Sequence, residues 1–598
     1  MTTHLLQIHI GPMQRFIAAA RRTRDLWFGS WLMSELSKAT AGGVAKLEGA
    51  DALIFPAATL QELEPGSPYA VANRIVALVS ENNPQSVAEA AEKSMRARLN
   101  DIVNQTFDDP LIQKLGQPAW KDVQAQIADL PEFYWVSLPI PGEGDYPRVR
   151  LQAEALLAAR KNCRDFEQPP WSKIGKPKSS LDGARESVIP EASSGNSQEM
   201  YDYFRARPAE QLSGVDLLKR LGRLGKQDRF PSTSHMAAAP LRHRLRGEGG
   251  EVKKRWDNYF NQLPTSARKS ASAYDPTPHS VFGDADGSLL FESRLLDYYD
   301  EQVPQEIKRA LKYFYNLDEV PPPIPYYALL IADGDFMGRT INKLESPQAH
   351  RRFSQALASF AIEAKNIIES PDFMGAAVFT GGDDVLGFLP LHTAVECASA
   401  LSAAFQQQMK SALDGTAVEA PTFSAGIAIV HHLEPLEDSL ELARTAEKEA
   451  KSLKGKNALA INLAKRSGAP RLVCGHWGGL DKRLQQFTFL YRRNDLPQGL
   501  PYQLRDMVLH LGGSVEVAGD QALKAVVGES AGLILQRKQA TQDAVAYLEA
   551  ELLEIDHDQR TIESIANELI IAGLLAQAQD QAYGESLKKE GTHAALDH

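Results

Sequence analysis

The sequence predicts an α+β chain: two ferredoxin-like domains, an irregular and helical domain between them, and a helical C-terminal domain. Three observations carry this. Apolar runs of strand length alternate with helical periodicity from residue 4 to 138 and again from 326 to 463, in the strand-helix-strand-strand-helix-strand order of a split βαβ fold. Residues 165–290, rich in Ser, Gly, Lys and Arg and broken by Pro and Gly, read as loops around short helices. From about residue 470 helix formers dominate. The boundaries that follow are 1–150, 151–320, 321–468 and 469–598, a division that suits domains of about 150 residues.

The first domain opens with a strand at His4 to Ile10, stopped by Gly11-Pro12. A helix runs from Pro12 to about Lys38 with a break at Gly29, Pro12 being suited to a first helical position. Strands follow at Ala52 to Phe55 and Arg74 to Val79, then a helix from Ser86 to Asn104 and a strand at Phe133 to Leu138. In the middle region Leu212 to Leu224 reads as a helix. Its basic residues between Arg205 and Arg255 form either a solvated surface or a nucleic-acid patch. Asp284-Ala285-Asp286-Gly287 reads as a turn, its glycine coming too early for a calcium loop.

The third domain follows Pro321-Pro322-Pro323. Its strand Tyr326 to Ala332 ends in Asp333-Gly334-Asp335, and a helix runs from Gln348 to Glu369. The apolar runs Met374 to Thr380 and Val385 to Leu389 flank Gly381-Gly382-Asp383-Asp384 as a hairpin flanks its turn. Helix Thr393 to Leu413, strand Thr422 to His431, helix Pro435 to Leu453 and strand Ala458 to Leu463 complete it. Beyond it, Gln521 to Ala540 and Gln542 to Leu553 read as helices and 580–598 as a polar tail.

The net charge of −11 argues against a chain that grips nucleic acid by itself, unless through a local patch or with partners. No apolar run approaches the roughly 18 to 20 residues of a membrane span. No signal peptide is evident, and three widely spaced cysteines suit a reducing, cytoplasmic setting.

The chemistry lies in the acidic clusters. GGDD alone is what a hairpin turn looks like, and a DGD after a strand is equally plain. Together, in this order and spacing, they form the carboxylate set of a nucleotidyl-transfer palm. Asp333 at a strand end and Asp383 and Asp384 on an adjacent turn would ligate two Mg²⁺ or Mn²⁺ ions, and Gly381 and Gly382 let a triphosphate approach the backbone. Lys451, near the end of a helix, either complements the helix dipole or reaches that triphosphate.

The Asp-x-Asp strand end, the GGDD turn and Ala450-Lys451 followed by Lys454-Gly455-Lys456-Asn457 resemble the nucleotidyl cyclase-like (GGDEF-type) palm. Asp384 in place of Glu departs from an ordinary diguanylate cyclase. The whole chain is more similar to the large subunit of type III-B (Cmr-type) CRISPR effector complexes. Ile10-Gly11-Pro12-Met13-Gln14, Ala19 to Trp27, Ile54-Phe55-Pro56, Asn73-Arg74, Leu181-Asp182-Gly183, Arg185-Glu186-Ser187 and Ala332 to Gly338 carry the likeness.

That resemblance implies antiviral defence. On target RNA recognition the subunit would polymerise ATP into cyclic oligoadenylate, or a related adenylate, in the company of other Cmr-type subunits, guide RNA and target RNA. It implies Asp333, Asp335, Asp383 and Asp384 around the metals, and Lys451 and Lys454 on phosphate. The first palm, with Gly11-Pro12 where the second has its DGD, is the degenerate copy. The chain starts directly at that palm, so no HD nuclease is expected. No zinc is expected either, because Ser179-Ser180 and Ser213 stand in the stretches where relatives carry cysteines; packing is expected to hold that region. The rival readings are a stand-alone cyclase using GTP and a catalytically silent scaffold.

Overall fold

A computed structural model describes residues 3–80, 83–163, 176–191, 197–207, 209–222, 229–270, 280–299, 302–317, 320–510, 532, 541–553 and 561–584. All but one residue of the predicted helix over Gln521 to Ala540, residues Arg223 and Lys226 of the basic run, and nearly all of the polar tail lie outside the described residues.

The first sheet contains β1 (Thr3–Gly11), β2 (Leu53–Phe55), β3 (Arg74–Val79) and β4 (Glu132–Ile140). Its order is β2-β3-β1-β4 with every neighbour antiparallel, the ferredoxin-like arrangement. Helices Thr23–Glu48 and Pro84–Thr106 cover one face.

The predicted opening helix is broken, but not at Gly29. It divides into Gln14–Ala18 and Thr23–Glu48. Lys219 closes the gap: its ammonium is buried and donates to the carbonyls of Phe16 and Ala19, left free where the helix stops. Gly29 serves packing instead, since a Cβ there would lie 3.1 Å from Lys219 Cε.

Lys219 also corrects the reading of the basic run as surface. Lys219, Arg220 and Arg242 are buried, and Arg220 pairs with Asp25 at 2.9 Å and Glu210 at 3.2 Å. Only part of the run, such as Lys253 and Lys254, faces solvent. The helix expected over Leu212 to Leu224 spans Gly214–Leu221.

The two serine turns meet around one carboxylate. Asp216 Oδ2 accepts from Ser179 Oγ at 2.6 Å, from Ser213 Oγ at 2.6 Å and from the Ser213 amide at 2.9 Å. A buried hydrogen-bonded knot therefore ties the region, where packing alone was expected. Asp286, of the suspected turn, caps Ser288 and accepts from Ser232 Oγ at 2.6 Å.

The second sheet comprises β5 (Tyr326–Gly334), β6 (Ala376–Gly381), β7 (Asp384–Leu389), β8 (Phe423–His431), β9 (Ala458–Ala464) and β10 (Arg471–His476). Its order is β10-β9-β8-β5-β7-β6. The run β8-β5-β7-β6 repeats the ferredoxin-like order of the first sheet. Strand β9 extends it, lying parallel to β8 through the crossover helix Leu436–Ser452.

Strand β5 is buried on both faces, hence its continuous apolar run. Ala328, Leu330 and Ala332 join a core with helices Pro347–Ile368 and Ala394–Ala412. Tyr327 and Leu329 join another with Trp256, Phe282 and Phe314 of the middle region. Strand β10 overturns the expectation that everything past 470 is helical. Helices Leu480–Arg492 and Ile562–Tyr583 then pack into the core of the second sheet.

Buried polar contacts join the two palms. The Tyr146 hydroxyl lies 2.7 Å from His350 Nδ1, Arg150 donates to Asn342, and the Ala57 amide donates to Ser354 Oγ at 3.0 Å. Trp27 stacks on Phe230, whose ring meets Phe388 of β7 edge-on.

The closest approach in the second palm is at Gly426. A Cβ there would fall 2.1 Å from the Glu447 amide nitrogen and 2.7 Å from the Ala443 carbonyl oxygen. Helix Leu436–Ser452, which carries Lys451, therefore lies directly on β8. Gly426→Ala is predicted to destabilise the chain by about 3 kcal/mol through overpacking, measured by chemical denaturation.

Candidate active site

The hairpin turn is tight because of its glycines. Gly381 pairs with Asp384, leaving Gly382-Asp383 as the two central residues. Gly382 has φ +64°, as a type II′ turn requires at its first central position. Register sets the rest: Ala332 of β5 faces Val385 of β7, so the strand end carrying Asp333 runs alongside the Asp383-Asp384 tip. Gly334 allows the approach, since a Cβ there would lie 3.0 Å from Asp383 Cβ and 2.8 Å from Met337 Sδ.

Asp333, Asp383 and Asp384 are thereby gathered at one end of the sheet, and their electrostatics show the crowding. Asp383 is held well above the usual carboxylate range, first by burial, then by the charges of Asp333 and Asp384 and by a hydrogen bond shared with Asp333. Asp384 still meets solvent, but the chain packed around it strips hydration and pushes its pKa up to about 7. Asp333 adds to that rise, Lys451 opposes it and Glu447 adds again.

Lys451 supplies the nearest positive charge. Its ammonium pairs with Asp333 and, at 3.0 Å, with Glu447 one helical turn earlier. Burial pulls its pKa down, but the two carboxylates outweigh that and push it up to about 12. Among the described residues no three His, Cys, Asp or Glu side chains already stand in the spacing of a formed metal-ion shell. The carboxylate oxygens are nonetheless the hard donors that Mg²⁺ takes, and the raised pKa values of Asp383 and Asp384 mark a place short of positive charge.

Asp335 does not join this group. It is fully buried, and its Oδ2 accepts from Thr422 Oγ1 at 2.9 Å, Ser424 Oγ at 2.8 Å and the Asn457 amide at 3.0 Å. Its expected place among metal ligands does not fit, because the chain reverses at Phe336, where φ is +58°, and Asp335 is turned into the protein. Lys454 is exposed and, among the described residues, makes no ion pair with the carboxylates.

Three residues at the site escaped sequence reading. Glu447 was legible as an i,i+4 partner of Lys451. Lys456 and Arg339 each place their charge 4.7 Å from the centre of the Phe336 ring. No local pattern announces that pair, because the turn bearing Lys456 meets Phe336 only in the fold.

Residues 326–460 match the family described as Cas10/Cmr2, second palm domain, and residues 5–104 match CRISPR-associated protein Cmr2, N-terminal. Both matched stretches fall to the Cas10/Cmr2 family. Within it, the CRISPR system Cmr subunit Cmr2 of Pyrococcus furiosus is 26% identical over 578 aligned positions, covering 79% of this chain. The chain spans 63% of that relative's length. Two Cmr-beta structures share the Cas10/Cmr2 fold with this chain at 13% identity. One, of the type III-B apo state, has a TM-score of 0.64 over 98% of this chain and 82% of its own. The other, bound to cognate target RNA, has a TM-score of 0.62 over 97% of this chain and 83% of its own. Among the described residues no helix is long and apolar enough to cross a membrane.

The raised pKa of Asp384 makes a stability prediction for the metal-free chain. The folded state binds this proton more tightly than the unfolded state does. The penalty is therefore absent below about pH 4, the unfolded pKa, and grows as pH rises through about 7. Asp384→Asn is predicted to raise stability at pH 8 in chelator by about 1 kcal/mol, a figure kept low for solvent screening of an exposed group, with no gain below pH 4. Thermal unfolding at the two pH values measures this.

Proposed function

We propose that this chain is the nucleotidyltransferase subunit of a Cmr-type CRISPR effector. On target RNA recognition it joins ATP into cyclic oligoadenylate or a related adenylate. The observation that carries the reading is the convergence of Asp333, Asp383 and Asp384 on one sheet end, with the pKa values of Asp383 and Asp384 raised and a lysine beside them. Three crowded carboxylates cost stability, and nothing in the packing of the palm calls for them.

Phosphoryl transfer asks for positioning and charge neutralisation more than for covalent help. Asp333, Asp383 and Asp384 would hold two Mg²⁺ or Mn²⁺ ions. When bound, such ions polarise the reacting phosphate and stabilise the attacking and leaving oxygens. The reaction joins the 3′-oxygen of one ATP to the α-phosphorus of another, with pyrophosphate leaving.

The side chains have distinct parts. Lys451, which pairs with Asp333, would be free to meet a phosphate oxygen if Asp333 held a cation, and Glu447 would keep its ammonium in the cleft. Gly381 and Gly382 leave the turn bare of side chains where a triphosphate would lie. Lys454, exposed on the same turn as Lys456, and Lys456 add positive charge on the phosphate side. The first palm would close the nucleotide pocket through the Tyr146–His350 and Arg150–Asn342 contacts. Guide RNA, target RNA and the other Cmr-type subunits are the partners this reading assigns, in a cytoplasmic setting.

The assembled complex, given guide, target RNA, ATP and Mg²⁺, is expected to release adenylate products separable by chromatography. Asp383→Ala/Asp384→Ala is expected to lower the rate at least about a hundredfold. An unchanged rate would overturn the site. GTP-derived products formed without RNA would favour a stand-alone cyclase.

A further inference from the structure

The segment after Lys451 has an unusual backbone. Gly455, Lys456 and Asn457 run consecutively in the left-handed region, with φ of +85°, +54° and +53°. Glycine adopts this freely and asparagine tolerates it, but lysine does so only under constraint. The constraints are visible. Asn457 donates its amide to Asp335 Oδ2 at 3.0 Å and accepts from the Trp477 amide at 3.1 Å, while its Oδ1 accepts from Gln406 Nε2 at 3.1 Å. His476 Nδ1 lies 2.8 Å from the Lys456 carbonyl oxygen.

Of these anchors only Asp335 comes from the Asp333 strand end. Its Oδ2 also takes the hydroxyls of Thr422 and Ser424, and its backbone amide donates to the Thr422 carbonyl at 2.7 Å. One oxygen thus fastens three segments together: the end of β5, the start of β8 and the turn carrying Lys456. Its other oxygen, Oδ1, is buried without a partner, and no ion pair reaches the carboxylate among the described residues.

We infer that Asp335 is a positioning residue that acts by accepting hydrogen bonds and sets the Gly455–Asn457 turn on the phosphate side of the site. This inference rests on the proposed nucleotidyl transfer. It separates two aspartates that the DGD pattern presents as equals: Asp333 faces the reaction and Asp335 holds the frame.

The role is tested by the difference between an acceptor and a ligand. Asn keeps an oxygen for the three donors and places its NH₂ toward the space beside Oδ1. Asp335→Asn in the assembled complex is therefore expected to retain adenylate formation within about threefold, with the Mg²⁺ midpoint unchanged. Asp335→Ala is expected to raise the KM for ATP about tenfold or more, again with no change in Mg²⁺ midpoint. Hydrogen exchange on the full chain should show the Asn457 amide exchanging at least about tenfold faster in Asp335→Ala, but not in Asp335→Asn.

Two results would overturn the inference. One is Asp335→Asn being as damaging as Asp383→Ala/Asp384→Ala, with a raised Mg²⁺ midpoint. The other is an Asn457 amide indifferent to Asp335→Ala. A wild-type complex that makes no adenylate product would instead defeat the functional reading, and the exchange measurement would still decide the role of Asp335.

Discussion

Mutual repulsion among Asp333, Asp383 and Asp384 is the constraint around which the second palm is built. Burial raises the pKa of Asp383 and Asp384 most, and the charges of the neighbouring carboxylates, led by Asp333, add to the rise. The fold tolerates this because Lys451 stands against Asp333, itself held by Glu447. That lysine is in place because Leu436–Ser452 lies on bare backbone at Gly426. The hairpin tip is in place because Gly334 lacks a side chain. Absent glycine side chains thus set the distances, and charge sets the chemistry.

The surrounding architecture serves rigidity. Strand β5 is buried on both faces by separate cores, so the end carrying Asp333 is fixed from two sides. The C-terminal helices join one of those cores, and Arg150, Tyr146 and Trp27 bring the first palm and the middle region against the second. Changes in those regions have a short physical route to the carboxylates: helix Met337–Asn342, which Arg150 touches, follows Asp335 almost directly.

Local signals in the sequence were reliable where they had local causes. Strand β3 was legible to the residue, and the GGDD hairpin to within a residue or two, because apolar runs and glycine turns are near-neighbour effects. The likeness to Cmr-type large subunits rested on short motifs spread over both palms, and it gave the family. What sequence reading missed came from distant partners. Strand β10 is half-exposed and, among the described residues, pairs with β9 alone, so it lacks a strong apolar signature. Lys219 and Arg220 looked like surface charge, yet they are buried against carbonyls and carboxylates up to 203 residues away. Asp335 shares a tripeptide with Asp333, and only a reversal of backbone direction separates their roles.

On the proposed function, Asp333, Asp383 and Asp384 would form a divalent-cation site once nucleotide is present. Titrating the full chain with Mn²⁺ in the presence of ATP, and counting chain-bound ions by electron paramagnetic resonance, tests it most directly. Saturable binding is expected of the wild-type chain, and Asp383→Ala/Asp384→Ala is expected to abolish it while the fold, judged by circular dichroism, is retained. Equal binding by the two proteins would contradict it.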